Sequence, residues 1–225
     1  MNKQTRHRLR QTARAARRSI SLEYQQYAAQ RACDFLQTDS VFLRSQHIAS
    51  YTAFEGELSP AKIAQTAENL GKTNYLPLIS DYIRPWEKTR LLFQPCNPSN
   101  HGLEPNRYGI PEPHYAPQLN MAPAMLDLVI MPLVAFDSQF NRLGMGKGYY
   151  DRTFGENLRW RRPYLLGLAY ASQQLAQLDA TELDVPLDGV LTEEGITWRK
   201  RYYLEEKGIT WRKIARKLPM ENRSK

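Results

Sequence analysis

The stretch LDLVIMPLVAFDSQFNRLGMGKGYYDR, Leu126 to Arg152, decides how this chain is read. Leu126 to Phe136 is an apolar run of strand length, closed by the polar turn Asp137-Ser138-Gln139. Asn141 to Arg152 then sets Gly144, Gly146 and Gly148 between and beside Arg142 and Lys147 and enters a predicted helix at Tyr149-Tyr150-Asp151-Arg152. A buried strand therefore ends in a glycine-rich turn that opens a helix. Glycines there can take positive φ and carry no Cβ, so backbone N–H groups can approach an anion while the helix offers its positive end. The two cations add charge-assisted contacts to phosphate oxygens. The turn is neither a P-loop nor a GxGxxG fingerprint in its usual βαβ setting. Its alternative reading is a glycine-rich connection that holds no ligand.

Around this stretch, helix and strand signals alternate. Residues 3–18 read as an Arg- and Ala-rich helix, and Leu22 to Leu36 as a second, with Ser21 as N-cap and Glu23 close behind. His47 to Phe54 and Asn74 to Ile79 predict strands on either side of a helix from Pro60 to Leu70 that stops at Gly71. Pro95 to Pro123 holds seven prolines in 29 residues and predicts a crossing of the surface. Later, Tyr164 to Ala169 reads as a strand and Ser172 to Leu178 as a short helix before Val185-Pro186. The pattern predicts one α/β domain over residues 1–194, with a largely parallel sheet and helices on both faces. Ligands of such sheets bind beyond the carboxyl ends of strands, where Asn141 to Arg152 falls. Residues 195–225 read as a basic extension in which GITWRK at 195–200 recurs at 208–213; two short copies make a local duplication rather than a solenoid.

Composition narrows the function classes. A chain of 225 residues, 42% hydrophobic, can bury a substantial core. Its longest uncharged apolar stretch, Leu128 to Phe136, is far shorter than the roughly 20 residues of a membrane helix. The start, MNKQTRHRLRQTARAARR, lacks the apolar region of a secretory signal, although an acid-free, Arg-rich segment can mimic a transit peptide. Cys33 and Cys96 form no CxxC and no metal spacing, so a reducing cytoplasm is the expected compartment. Net charge is +8, but residues 1–18 hold seven Lys/Arg and no acid, and residues 196–225 hold ten against three Glu, which leaves the middle acidic. Basicity confined to the ends disfavours a broad nucleic-acid face.

Several residue sets can carry chemistry. Arg6, Arg10 and Arg14 follow at i, i+4, with Arg17 three further on, and form one stripe on a helix; it is either an arm over an anionic ligand or a solvated face. Arg8 and Arg18 fall off that stripe and read as solvent-exposed. Glu55 and Glu57 follow a predicted strand and point to opposite sides of an extended segment, so at most one faces a ligand. Asp151 can hold Mg²⁺ beside a nucleotide, with Asp184 or Asp188 as a second carboxylate; the alternative for Asp151 is a helix N-terminal acid. Tyr149 and Tyr150 suit a pocket wall or the core. His7, His47, His101 and His114 are scattered, and neither GxSxG nor HExxH occurs.

Taken in order along residues 3–194, the Arg6–Arg18 start, IASYTAFEGEL at 48–58, GKTNYLPL at 71–78, RYGIPEP at 107–113, LDLVIMPLVAFD at 126–137, NRLGMGKGYYDR at 141–152 and LDVPLDGVLTE at 183–193 resemble the 5-formyltetrahydrofolate cyclo-ligase family, also called methenyltetrahydrofolate synthetase. The resemblance implies a fold of the kind shared with sugar-phosphate isomerases and CoA transferases. It also implies ATP- and Mg²⁺-dependent conversion of 5-formyltetrahydrofolate, free or polyglutamylated, to 5,10-methenyltetrahydrofolate. By the same resemblance Arg6 and Arg10 reach ATP phosphates, Arg6 standing where the family often has lysine. Glu57 binds the pterin and Thr52 lines its pocket. Arg142, Leu143, Gly144, Met145, Gly146, Lys147, Gly148, Tyr149 and Tyr150 form a loop shared by ATP and folate, with Gly146 and Tyr149 also on the folate side. Arg142 and Lys147 stabilise the transferring phosphoryl group, and Asp151 and Asp184 bind magnesium. The extension from Gly195 inherits nothing. Competing readings are an isomerase or transferase without ATP dependence, and a nucleic-acid binder acting through its basic ends. Oligomeric state is left open.

Overall fold

A computed structural model describes residues 3–79, 90–96, 102–155, 163–181 and 183–199. The chain opens with helices α1 (Lys3–Arg18), α2 (Leu22–Leu36) and α3 (Ser40–Arg44), then strand β1 (His47–Ala49), helix α4 (Ala61–Asn69) and strands β2 (Thr73–Ile79) and β3 (Leu91–Pro95). Next come β4 (Leu103–Pro105), β5 (Pro111–Pro113), β6 (Leu128–Pro132), β7 (Ala135–Asp137) and β8 (Arg142–Leu143), followed by α5 (Tyr149–Phe154). Strands β9 (Tyr164–Leu168), β10 (Gln174–Leu175), β11 (Gly189–Thr192) and β12 (Gly195–Trp198) complete the order.

Local chemistry explains the helix boundaries. The Ser21 hydroxyl accepts the Tyr24 N–H at 3.2 Å, capping α2 as its sequence predicts, and Asp39 accepts the Val41 N–H at 2.8 Å to start α3. The buried stripe of α2, Ala28, Ala32 and Leu36 with Ala29 and Cys33, repeats at helical spacing. Arg17 and Arg18 close α1, where cations meet the negative end of a helix.

Seven strands form the main sheet in the order β12-β11-β9-β6-β1-β2-β3. The five central strands are parallel, and antiparallel β12 and β3 close the two edges. Period-two alternation divides the strands between two cores. Ile48, Ile130, Leu166 and Leu191 face one cluster with α2 and α4; Ala49, Val129, Leu165 and Val190 face the other with Phe154 of α5, Leu133 and Leu187. Helices thus pack on both faces, as the alternating pattern predicts.

Four expectations change. The strand from His47 ends at Ala49 rather than Phe54: Ser50 still donates its N–H to the Tyr75 carbonyl, but its hydroxyl turns inward to Asn74 and the chain leaves the sheet. Ser172 to Leu178 forms no α-helix; one 3-10 turn, Ala171–Gln173, is followed by β10, because residues 174–175 pair with the open edge of β7. The Gln173 side chain anchors this turn by donating to the Leu133 and Val134 carbonyls at 3.1 and 2.9 Å. The proline-rich passage includes β4 and β5, and part of it lines a cavity. The expected boundary at residue 194 falls inside the β11–β12 hairpin, so Gly195–Trp198 of the first GITWRK copy pair with β11 in the main sheet. Trp198 stacks edge-on against Tyr164, lies against Gly189 and donates its indole N–H to Asp39 at 2.9 Å. The second copy, 208–213, lies outside the described residues.

Candidate active site

Beyond the carboxyl ends of β1, β2 and β6 the chain encloses a cavity of about 1800 Å³. Tyr51 to Glu57 after β1, Pro77 and Ile79 of β2, and Pro132 of β6 form its floor; α1, the glycine loop, Thr181 and residues 183–186 form its walls. This is where a parallel sheet leaves room for ligands. Every candidate residue of the glycine loop reaches the cavity except Leu143, as do Arg6, Arg10, Thr52, Glu57, Asp151 and Asp184. Leu143 is buried instead with Val134, Ala135 and Leu178, because β8 pairs with β7 and turns that side chain into the core.

The glycine loop is built by a hairpin. Asp137 accepts the N–H groups of Gln139 and Asn141 on one oxygen and those of the Asn141 side chain and Leu178 on the other, which fixes the turn into β8. Arg142 is therefore a strand residue, not part of the turn, and its guanidinium pairs with Asp151 while lying 6.0 Å from the centre of the Tyr150 ring. Gly146 has φ +91° and sits under the Arg10 guanidinium, where an added Cβ would come within 3.2 Å of it. Gly148, at φ +68°, caps α5. Both positions need the left-handed region that glycine tolerates.

The arginine stripe of α1 spans the cavity, each residue meeting a different partner. Arg6 donates two hydrogen bonds to Asp184 at 2.9 and 3.1 Å. Arg10 donates to the Gly144 carbonyl at 2.8 Å. Arg14 pairs with Glu55, and so does Arg18, which is exposed as its place off the stripe predicts. Arg17 is buried, donating to Glu57 and to the carbonyls of Glu55, Phe54 and Leu133. The expectation that Glu55 and Glu57 point to opposite sides changes: residues 55–56 form a turn with positive φ, not an extended segment, and both carboxylates line the cavity, each paired with an arginine.

These contacts set the ionisation of the site. Burial raises the Glu57 carboxyl above its ordinary range, opposed in part by Arg17 and the Phe54 N–H. Burial also pushes Asp184 up, but Arg6 and Thr181 outweigh it and hold the carboxyl below its usual value. Arg10 is lowered by burial and by its neighbour Arg6. Tyr108 is held below the ordinary phenol value by its hydrogen bond with Tyr149, with Arg107 and Lys147 close by and burial opposing them.

Sequence reasoning assigned no role to Tyr108. It stands in the cavity wall with Asn106, Ile110 and Glu112, its hydroxyl 3.3 Å from that of Tyr149 and its ring 5.6 Å from the Lys147 ammonium. RYGIPEP carried the available signal, an aromatic beside Gly109, which takes φ +76° in the turn. Both tyrosines of the glycine loop line the cavity while packing against the second core.

Among the described residues no three His, Cys, Asp or Glu side chains cluster as a metal site. Mg²⁺ needs only one or two carboxylates when phosphate oxygens and water complete its shell. Asp151 fits that demand, since the Arg142 and Val185 donors both meet its Oδ1. Asp184 has both oxygens engaged by Arg6 and Thr181, so it fits only once Arg6 has turned to another anion. Asp188 is excluded, being buried and accepting the Leu165 N–H at 3.0 Å.

An open α/β sheet with a cationic glycine loop beyond the carboxyl ends of its strands, faced by a buried acid, places the chain among α/β enzymes that bind their ligands at that edge. Residues 2–193 match the profile of the 5-formyltetrahydrofolate cyclo-ligase family. The chain is 35% identical over 191 residues to the 5-formyltetrahydrofolate cyclo-ligase of Haemophilus influenzae, covering 85% of this chain and 99% of the relative. It is 34% identical to the one from Escherichia coli K12 over 179 residues, 80% of this chain and 95% of the relative. The 5,10-methenyltetrahydrofolate synthetase of Aquifex aeolicus superposes with a TM-score of 0.69 at 26% identity, covering 87% and 93% of the two chains. The chain belongs to the 5-formyltetrahydrofolate cyclo-ligase family and is a ligase of folate metabolism. Among its described residues no helix is long and apolar enough to cross a membrane.

Proposed function

We propose that the chain converts 5-formyltetrahydrofolate to 5,10-methenyltetrahydrofolate with ATP and Mg²⁺, releasing ADP and phosphate through a phosphorylated formyl intermediate. One observation carries the reading: a cavity of about 1800 Å³ joins a cationic glycine loop at one part of its wall to a buried carboxylate, Glu57, at another. A drug-sized ligand occupies a site of roughly 300–1,000 Å³, so this space suits two. The buried Nε of Arg142, which has no hydrogen-bond partner, adds an unmet donor beside the loop.

In this reading the formyl oxygen attacks the γ-phosphorus of ATP. An O–P bond forms, the bond to ADP breaks, and the N5 lone pair gives an iminium phosphate. N10 then attacks the activated carbon and loses its proton, and phosphate leaves as the ring closes. A formamide oxygen is a poor leaving group, and phosphorylation makes it a good one. The chain's own task is positioning and charge neutralisation, as in other phosphoryl transfers. Arg10 and Lys147 flank the loop amides and stabilise negative charge on the transferring group. Arg6 and Arg142 take part by exchanging their carboxylate partners, Asp184 and Asp151, for phosphate oxygens. Bound Mg²⁺, held by Asp151 and the released Asp184, supplies further neutralisation of the phosphates. Glu57 accepts N–H groups of the pterin, Thr52 borders it, and Tyr149 with Tyr108 offers it an aromatic wall. A polyglutamyl tail is a polyanion, which Arg90 and Arg152 at the cavity rim suit.

The test is absorbance in the band of the methenyl chromophore when purified protein meets 5-formyltetrahydrofolate. Growth of the band only with Mg-ATP is expected. A folded protein that gives no growth overturns the reading.

A further inference from the structure

Glu57 is a carboxylate taken out of water, and burial favours the neutral form of such a group. Its side chain is 11% exposed, and that of Arg17 is 1% exposed. The charged and titratable groups around it come from three elements: Arg17 and Arg14 on α1, Glu55 on its own loop with Tyr51 before it, and Tyr150 on α5. Burial holds the phenols of Tyr51 and Tyr150 well above their ordinary value, so both stay neutral, and Glu55 adds repulsion. Opposite charge therefore comes from α1 alone among these groups. Arg14 is committed to Glu55 and a third exposed, which leaves Arg17 as the buried counter-charge.

Arg17 does more than supply charge. Its guanidinium donates through Nε to the Glu55 carbonyl at 3.2 Å and through one terminal nitrogen to the Leu133 carbonyl at 3.3 Å and Glu57 at 3.5 Å. The other terminal nitrogen meets the Phe54 carbonyl at 3.5 Å. The Phe54 N–H in turn donates to the second Glu57 oxygen at 3.1 Å. One planar fork thus joins residues 54–57 to the chain just beyond β6, on the path to the glycine loop. A lysine would keep the charge but could not hold this planar set of acceptors.

We propose that Arg17 is a positioning residue of the reaction: it keeps the Glu57 carboxylate ionised and fixed toward the cavity, and so sets folate affinity without touching folate. The inference rests on Glu57 as the acid that binds the pterin. Its removal leaves a buried carboxylate that takes up a proton at higher pH and no longer accepts from the ligand.

Calorimetric titration of 5-formyltetrahydrofolate without nucleotide, from about pH 5.5 to 8.5, tests this on wild type, Arg17→Met, Arg17→Lys and Glu57→Gln. For Arg17→Met the midpoint of the pH dependence is expected to rise by about one unit or more, which gives a loss of about tenfold or more at pH below the wild-type midpoint that recovers toward the alkaline limit. Arg17→Lys should keep the wild-type midpoint with a several-fold loss at every pH, and ATP affinity should stay within a few-fold in both. Glu57→Gln should bind weakly with no pH dependence. If Glu57→Gln behaves so while Arg17→Met loses affinity equally at all pH, or not at all, the Arg17 inference is overturned and the Glu57 assignment stands. If Glu57→Gln binds like wild type, both fall. Should Arg17→Met fail to fold, unchanged folate affinity in Arg17→Lys overturns the inference.

Discussion

Arg6 and Arg17 are the same residue type on one face of one helix, about three turns apart, yet they sit in opposite physical regimes. Arg6 is 14% exposed and meets Asp184, 19% exposed, at the cavity rim. Arg17 is sealed beneath the loop that carries Glu57, with carbonyls on several sides. A partly solvated pair can exchange partners at small cost, because water and a ligand phosphate replace what is lost. A buried pair cannot, because removing one member strands the other in low dielectric. The helix is thus anchored at its carboxyl end and exchangeable at its amino end, an arrangement suited to the ATP binding proposed above.

Four measurements would break or sharpen that contrast. The largest effect belongs to Arg17→Met, for which urea denaturation at neutral pH should show a loss of about 3–5 kcal/mol. The sign of its pH dependence follows from the raised Glu57 carboxyl. A carboxyl whose folded value lies above the unfolded one, about 4.3, erodes stability as pH rises between the two. The deficit of the variant should therefore shrink as pH falls toward about 5, and a constant deficit would show that Glu57 is not its source. Second, Lys147→Ala should lower turnover by more than about tenfold, about 1.4 kcal/mol in the barrier, with the melting temperature unchanged. Wild-type turnover would remove Lys147 from the phosphoryl site. Third, Gly146→Ala strains a positive-φ position beneath Arg10 and should cost about 1 kcal/mol of stability with a several-fold rise in KM for ATP. An unchanged KM would place the phosphates elsewhere. The smallest stability effect is that of Arg6→Met, under about 1 kcal/mol. Here the sign is reversed. Asp184 lies below its unfolded value, so its contribution is present above about pH 4 and is lost as pH falls through the folded value. The variant and wild type should converge in stability at low pH while ATP affinity differs several-fold at neutral pH; equal affinity for ATP would confine Arg6 to a structural pair.

Legibility differed by the range of the interaction. The Ser21 cap, the α2 stripe, the apolar β6 and the glycine loop lie within a few residues of their own signals, and each appears where local periodicity puts it. Strand β3 was hidden because LLFQP is short and owes its state to antiparallel pairing with β2. Residues 174–175 became a strand only because β7 offers an open edge forty residues away in sequence. Tyr108 entered the site through a hydroxyl contact with Tyr149, which no pattern around RYGIPEP encodes.

By itself the sequence determined the alternation that makes a two-faced parallel sheet, the arginine stripe on one side of α1, and the glycine loop after the buried strand, since all three follow from local backbone and side-chain periodicity. Tertiary structure alone decided the partner of each arginine: Asp184 for Arg6, the Gly144 carbonyl for Arg10, Glu55 for Arg14 and Glu57 for Arg17. Periodicity sets which way a side chain points along a helix, whereas charge state and role depend on burial and on groups brought from far along the chain.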